Sequence, residues 1–320
     1  MINSEFIHKY TRRKIGHDYY SPCHYHVILR KALACQDYGR VKINPGKSYG
    51  DKDFAYIEHI KLGKIICGNI WNLGKEFRQV SVNKYCVMPD HVHIFLWIKE
   101  RSDRHLGDII GKLKFNITQE YSRYCGKEIS HHDIFEENYT DKIVYLGRNF
   151  DVIREYIRTN PDRLAIRLQK PEFFQRKVLL ELAGERYEAY GNLSLLENPF
   201  KMAVRVHRRN TDALNEQLKE RWLEHVVEGG VLVSPFYSKK EKNIREIAEM
   251  MGGRIIMLDY KAFPEKFKPS KHEFDLCTLG KMLLISPEKS FAKELTYPVA
   301  TKLNDLAEQI ASMDFRGIRG

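Results

Sequence analysis

A chain of 320 residues, 43% hydrophobic and 30% charged, can bury one large core or two ordinary ones without staples, and two domains is the better expectation. The composition excludes collagen-like, low-complexity and disordered classes, and the longest apolar strings, HVHIFLWI and KMLLI, fall far short of a membrane span. The formal charge of +11 is uneven: residues 1–170 carry 29 Lys+Arg against 20 Asp+Glu and residues 171–320 carry 24 against 22, so the basic excess that suits a polyanionic partner lies in the first half.

The six cysteines form no CxxC pair and no zinc-finger cluster, and they read as free thiols of a reducing cytoplasm. The segment MINSEFIHKYTRRK lacks the apolar centre of an export signal, which points the same way, to the cytoplasm.

The first half alternates short strand-like and helix-like pieces. Tyr25–Leu29 is a β-branched apolar run, and Ile57–Leu73 reads mainly as helix. Val80–Val87 is strand-like up to Pro89; His91–Ile98 follows as a second strand, with His91, His93, Phe95 and Trp97 on one face and Val92, Ile94, Leu96 and Ile98 on the other. From Leu106 to Tyr124 the residues Ile109, Ile110, Leu113, Ile117 and Tyr121 keep a helical period, with Lys112, Lys114 and Arg123 off the stripe. Asn149 can cap a further helix, FDVIREYIRTN, which Pro161 closes. This order predicts an α+β domain on an antiparallel sheet.

Pro171, Gly184, Gly191 and Pro199 mark a boundary, read as a linker over residues 171–199 between domains at 1–170 and 200–320. Beyond it the pattern becomes α/β. Gly229-Gly230 leads into the buried-type strand VLVSPF; Ser238 and Glu241 form a capping box for a helix ending at Gly252-Gly253; RIIML and KMLLIS are further strands of a parallel sheet.

Two elements carry chemistry. His91-Val92-His93 puts two imidazoles on one face of a strand, able to share a cation, although with 13 histidines the pattern arises by chance about once in two such chains, and a second copy stands at His24-Tyr25-His26. In YIRTNPDR, Tyr156 and Asn160 are four apart and share a helix face. A phenol is a poor nucleophile at neutral pH and becomes useful where a cation polarises the phosphate it attacks.

The strings KYCVMPDHVHIFLWI, LGDIIGKLKFNITQEYSRY, IFEENYTDKIV and YIRTNPDR resemble, in order and spacing over residues 8–170, the REP-associated tyrosine transposases of the single-tyrosine HUH nuclease superfamily. Members often carry Asn before the first histidine, where this chain has Asp90, which alters a supporting contact and removes no expected ligand. The resemblance implies an HUH-type, ferredoxin-like antiparallel sheet with helices, His91 and His93 as metal ligands, Asn160 as the third, and Tyr156 as the nucleophile. A carbonyl oxygen with two imidazoles and open water positions suits Mn²⁺ or Mg²⁺. The implied reaction is transesterification of single-stranded or hairpin DNA through a 5′-phosphotyrosine, with Lys112, Lys114, Arg123, Arg154, Arg158, Arg163 and Arg167 as candidate backbone contacts. Assembly as a homodimer is an open expectation. The rivals are a catalytically inactive, domesticated DNA-binding protein and a metal hydrolase that uses water.

Residues 200–320 resemble the Rossmann-like domains related to DprA and to lysine-decarboxylase-like proteins, through EGGVLVSPFYSKKEKNIREIAEMMGGRIIMLD and FDLCTLGKMLLISP. The loop after VLVSPF, with Ser234 and Ser238, is the place for a nucleotide or phosphate ligand if this domain takes one, and a purely structural or DNA-positioning role is the alternative.

Overall fold

The computed structural model describes residues 13–313 except 15, 146–149, 183–184 and 208, and gives the backbone alone over 179–182. The expected cap Asn149 and the boundary residue Gly184 lie outside the described residues. The chain divides into two compact units, 1–166 and 167–320.

The first unit is built on an antiparallel sheet of β1 (Cys23–Lys31), β4 (Val80–Val87), β5 (His91–Ile98) and β6 (Phe135–Val144), in the order β4-β5-β1-β6. A separate two-stranded ribbon pairs β2 (Gly39–Ile43) with β3 (Ala55–His59). Among the described residues, α1 (Lys61–Glu76) and α2 (Leu106–Cys125) precede the short α3 (His131–Ile134). The period of two in the strands decides the layers. Tyr25, Val27, Leu29, Val92, Ile94, Leu96 and Ile98 all enter one core together with Leu62, Ile66 and Ile70 of α1 and Ile109, Leu113 and Ile117 of α2. Each such side chain, fully buried, contributes about 1.5–3 kcal/mol before the entropy of ordering it is subtracted. Gly63 permits the close approach of α1 to the segment before β2, since a Cβ there would lie 2.1 Å from the Tyr38 carbonyl oxygen.

The opposite face of the same sheet is covered by α4 (Phe150–Arg158), held through a smaller apolar cluster of Phe95, Val144 and Ile157 with Phe150, Ile153 and Tyr156 packed against it. Pro161 does not simply close this helix, as the sequence reading had it. A single turn residue, Thr159, separates α4 from α5 (Asn160–Gln169), and Pro161 sits in the first turn of α5, where its missing N–H removes no helical bond. The buried Asp162 carboxylate accepts the Ala55 N–H at 2.9 Å, which ties this start to β3, and burial raises its pKa.

The second unit is a six-stranded mixed sheet in the order β7-β8-β12-β11-β10-β9. Strands β10 (Val231–Ser234), β11 (Arg254–Leu258) and β12 (Met282–Pro287) run parallel, as VLVSPF, RIIML and KMLLIS predict, and β9 (Lys201–Ala203) adds a parallel strand that the sequence pattern does not mark. The expected linker is corrected here: β7 (Gln175–Leu182) and β8 (Glu185–Gly191) form a hairpin that joins the sheet antiparallel to β12. Gly191 is read in the sequence as punctuation, yet it is a strand residue at φ +126°, and a Cβ there would meet the Met282 carbonyl oxygen at 2.4 Å. The two sheet faces bury different sets. Val231, Val233, Ile256, Leu258, Leu283 and Ile285 pack on α10 (Tyr297–Ser312), while Leu232, Ile255, Met282 and Leu284 pack with Trp222 of α7 (Asp212–Val227) and Ile244 of α8 (Lys239–Met250). No described helix is long and apolar enough to cross a membrane, and all six cysteines are free.

Candidate active site

The register of β1 on β5 sets the site. Ile28 lies opposite His93 and Arg30 opposite His91, so the even-numbered residues of β1 share the face of His91, His93, Phe95 and Trp97. On that face the imidazoles form a chain. His91 Nε2 and His93 Nε2 are 2.9 Å apart, His93 Nδ1 and His26 Nε2 are 3.0 Å apart, and His91 Nδ1 lies 2.7 Å from Asp90 Oδ1. Asp90 therefore contacts the first histidine through its carboxylate. The hydrogen bond from His91 is the main reason its carboxyl stays below the ordinary carboxylate range.

Tyr156 completes the cluster from α4. Its ring centroid lies 5.5 Å from that of His93 and 6.1 Å from that of His26, edge-on to both. Asn160 is buried, and its Nδ2 donates to the Tyr156 carbonyl oxygen at 2.7 Å. That bond keeps Asn160 beside the tyrosine's turn even though the helix breaks at Thr159.

The residues present fit a divalent ion. Two ligand atoms at right angles about one ion stand √2 bond lengths apart, about 2.9 Å for bonds of about 2.05 Å, and the two Nε2 atoms are spaced at 2.9 Å. Among the described residues no group of three or more His, Cys, Asp or Glu side chains is placed to hold a metal, so an ion here would rest on the two imidazoles and on donors of other kinds. His26 does not extend the pair, because it meets His93 at Nδ1, away from the shared point.

His26, from the second His-x-His copy at His24-Tyr25-His26, is a neighbour of His93 that the pattern alone does not assign to this cluster. The signal was present: Tyr25, Val27 and Leu29 alternate as a core face, which puts His24 and His26 on the other. His24 does something different from His26, stacking flat on Trp97 at 5.2 Å and lying 4.4 Å from the Phe150 ring.

The basic residues are placed unequally. Lys112, Lys114 and Arg123 belong to α2, which packs on the sheet face opposite the histidines, so they are not brought to this site. Lys114 is moreover buried, with Nζ donating to the Glu136 and Glu137 carbonyl oxygens at 2.7 and 3.1 Å; it lies one turn from Ile110 and Ile117, on the inward side of the helix. Its expected surface role is corrected accordingly. Arg158 is held bidentately by Glu155 at 2.7 and 2.8 Å, and Arg154 pairs with Asp151 at 3.2 Å, both on exposed surface. Arg163 is the cation beside the tyrosine, its Cζ 6.0 Å from the Tyr156 ring centroid. Arg167 falls in the second unit, over the Phe274 ring at 5.9 Å.

In the second unit the hydroxyls expected at an anion site are committed to the backbone. Ser234 Oγ accepts from Phe236 N, Ser238 Oγ accepts from Glu241 N, and the buried Glu241 carboxylate accepts from Ser238 N and Val206 N. A carboxylate already occupies part of the donor-rich end that a phosphate would use.

Two strand imidazoles and a helix-borne tyrosine thus meet on the face of an antiparallel sheet that α4 covers. Residues 66–160 match the family model described as Transposase IS200 like, a span that takes in His91, His93, Tyr156 and Asn160. The match covers less than a third of the chain, within the first unit, and supports a transposase-like role in DNA processing there. Among solved structures, a REP-associated tyrosine transposase bound to a REP hairpin shares 13% identity with a TM-score of 0.29, over 46% of this chain and 72% of that one. A protein described as a transposase from Deinococcus radiodurans R1 shares 16% identity with a TM-score of 0.27, over 45% and 95%. DNA processing protein A from Helicobacter pylori, described for its single-stranded DNA binding mode, shares 19% identity with a TM-score of 0.31, over 43% and 67%. No curated protein matches.

Proposed function

We propose that the first unit is a metal-dependent single-strand DNA endonuclease and strand-transferase acting on structured single strands such as hairpins, in the cytoplasm. The observation that carries the reading is the meeting of His91 and His93 Nε2, 2.9 Å apart, with a tyrosine ring 5.5 Å from that of His93. His91, His93 and the Asn160 amide oxygen would hold Mn²⁺ or Mg²⁺, which when bound withdraws charge from a phosphate oxygen. Tyr156 Oη attacks phosphorus, the bond from phosphorus to the 3′ oxygen breaks, and the phenolic proton ends on the departing 3′ hydroxyl. The 5′ phosphate stays on Tyr156 as a diester. No water is consumed, so a second 3′ hydroxyl can reverse the step and join a new strand. Arg163, beside the tyrosine, contributes positive charge where the phosphate would lie. Asp90 keeps His91 Nδ1 protonated and its Nε2 lone pair available.

The test is incubation of the protein with end-labelled single-stranded hairpin DNA from the flanks of its own gene, with Mn²⁺ or with chelator, followed by denaturing electrophoresis. A slow, protease-sensitive band that requires Mn²⁺ and disappears in Tyr156→Phe is expected. Cleavage that survives Tyr156→Phe would assign the site to a water nucleophile, and binding without any metal-dependent nick would leave a DNA-binding module.

A further inference from the structure

The chain of three imidazoles constrains the protons on it. A neutral imidazole donates through one nitrogen and accepts through the other. For three neutral imidazoles, Asp90 accepting from His91 Nδ1 at 2.7 Å makes His91 Nε2 an acceptor, so His93 Nε2 donates to it across 2.9 Å and His26 Nε2 donates to His93 Nδ1 across 3.0 Å. An ion shared by His91 and His93 needs the Nε2 lone pairs of both. His93 must therefore carry its proton on Nδ1, and the bond to His26 must run the other way, with His26 Nε2 accepting. Histidine can serve both arrangements with the same ring neighbours and a tilt of the rings, because its two tautomers differ only in which nitrogen holds the proton.

We propose that His26 is the positioning residue of the metal site: its Nε2 holds the His93 ring in place and accepts the Nδ1 proton that His93 must carry when Nε2 becomes a ligand. This deepens the reading under Proposed function and rests on it. The surroundings suit the task. His93 is fully buried and His26 is 8% exposed, so water is a poor substitute for the lost partner. The rings lie nearly parallel, 29° apart with centroids 5.1 Å from each other, a fixed orientation set by neighbouring strands. Partners of this kind, one bond beyond the ligands, tune metal affinity by about 10–100-fold in known sites.

Mn²⁺ affinity of the full chain, read from the electron paramagnetic resonance signal of free Mn²⁺ in the absence of DNA, tests the proposal without reference to catalysis. His26→Leu removes the bond and is expected to weaken Mn²⁺ binding about 10–100-fold. His26→Gln, whose amide reaches the Nε2 position and can turn either its oxygen or its nitrogen toward His93, is expected to stay within about threefold. His26→Asn, one methylene shorter, should behave like the Leu variant while keeping a polar side chain, which guards against a Leu variant that fails to fold. Nitrogen NMR of labelled histidines should report His93 protonated on Nε2 without metal and on Nδ1 with saturating Mg²⁺. Unchanged affinity in folded His26→Leu and His26→Asn would overturn the proposal, as would a His26→Gln variant that loses as much as they do. If the unaltered protein bound Mn²⁺ no better than His91→Ala, the metal reading itself would fall, and this one with it.

Discussion

The hold of α4 on the sheet decides whether Tyr156 meets the histidines, and Ile157→Ala isolates it. The helix has nine residues, too few to be stable alone in water, so its order depends on docking. Docking rests on a small cluster in which Ile157 is fully buried against Phe95 and Val144. Truncating a buried isoleucine to alanine costs about 2–5 kcal/mol, and a middle value of about 3 kcal/mol is roughly a hundredfold in the docked equilibrium. Amide hydrogen exchange over Phe150–Arg158 should accelerate by about that factor, with covalent adduct formation falling in parallel once the undocked form dominates. Ile157→Val, at about 0.5–1.5 kcal/mol, should show at most about a tenfold change. If exchange in α4 accelerated as expected while adduct formation stayed at its original rate, the argument that this cluster positions the nucleophile would be refuted.

Three further expectations follow from particular contacts. Burial lowers the Lys114 amine from its ordinary 10.5 to about 8, so between those values the unfolded chain holds the extra proton and stability rises with pH; Lys114→Met should remove about 1.5 kcal/mol of the gain between pH 8 and 9.5, measured by denaturant unfolding of both proteins. Gly63→Ala should destabilise the first unit by several kcal/mol, about 3 or more, because the new Cβ would meet backbone at 2.1 Å, whereas Gly68→Ala on the same helix, with nothing within 4 Å, should stabilise it by up to about 1 kcal/mol; thermal unfolding separates the two. Asp90→Asn keeps an oxygen for His91 Nδ1 and should lower Mn²⁺ affinity less than tenfold, whereas Asp90→Ala should lower it about 10–100-fold, both by direct titration.

Much of the first unit was legible because its strands are buried on one side and its helices carry one apolar stripe. The alternation in His91–Ile98 assigned both histidines to one face, and the same rule applied to β1 would have added His26. What hid it was the statistics of a short pattern: two His-x-His pairs look alike until strand pairing says which of the four rings share a neighbourhood. The charge argument failed for Lys114 because a helix position off the strongest stripe can still lie within the wide inward sector, where nearby carbonyl oxygens of β6 receive an amine.

The second unit shows the complementary limit. Its parallel strands are continuous apolar runs, so VLVS, RIIML and MLLISP were readable, and the capping box at Ser238 fixed the start of α8. The hairpin β7–β8 was not readable, because glycine and proline mark a sheet edge in the same letters as a linker. The difference lies in long-range pairing: Gly191 faces Leu283, some ninety residues on, and only a residue without a Cβ fits against the Met282 carbonyl oxygen. The same capping box also argues against a simple anion site, since Glu241 places a buried carboxylate at the helix end where the phosphate was expected. A local motif states which backbone groups need partners; whether a side chain of the chain or a ligand supplies them is settled by what the fold brings alongside.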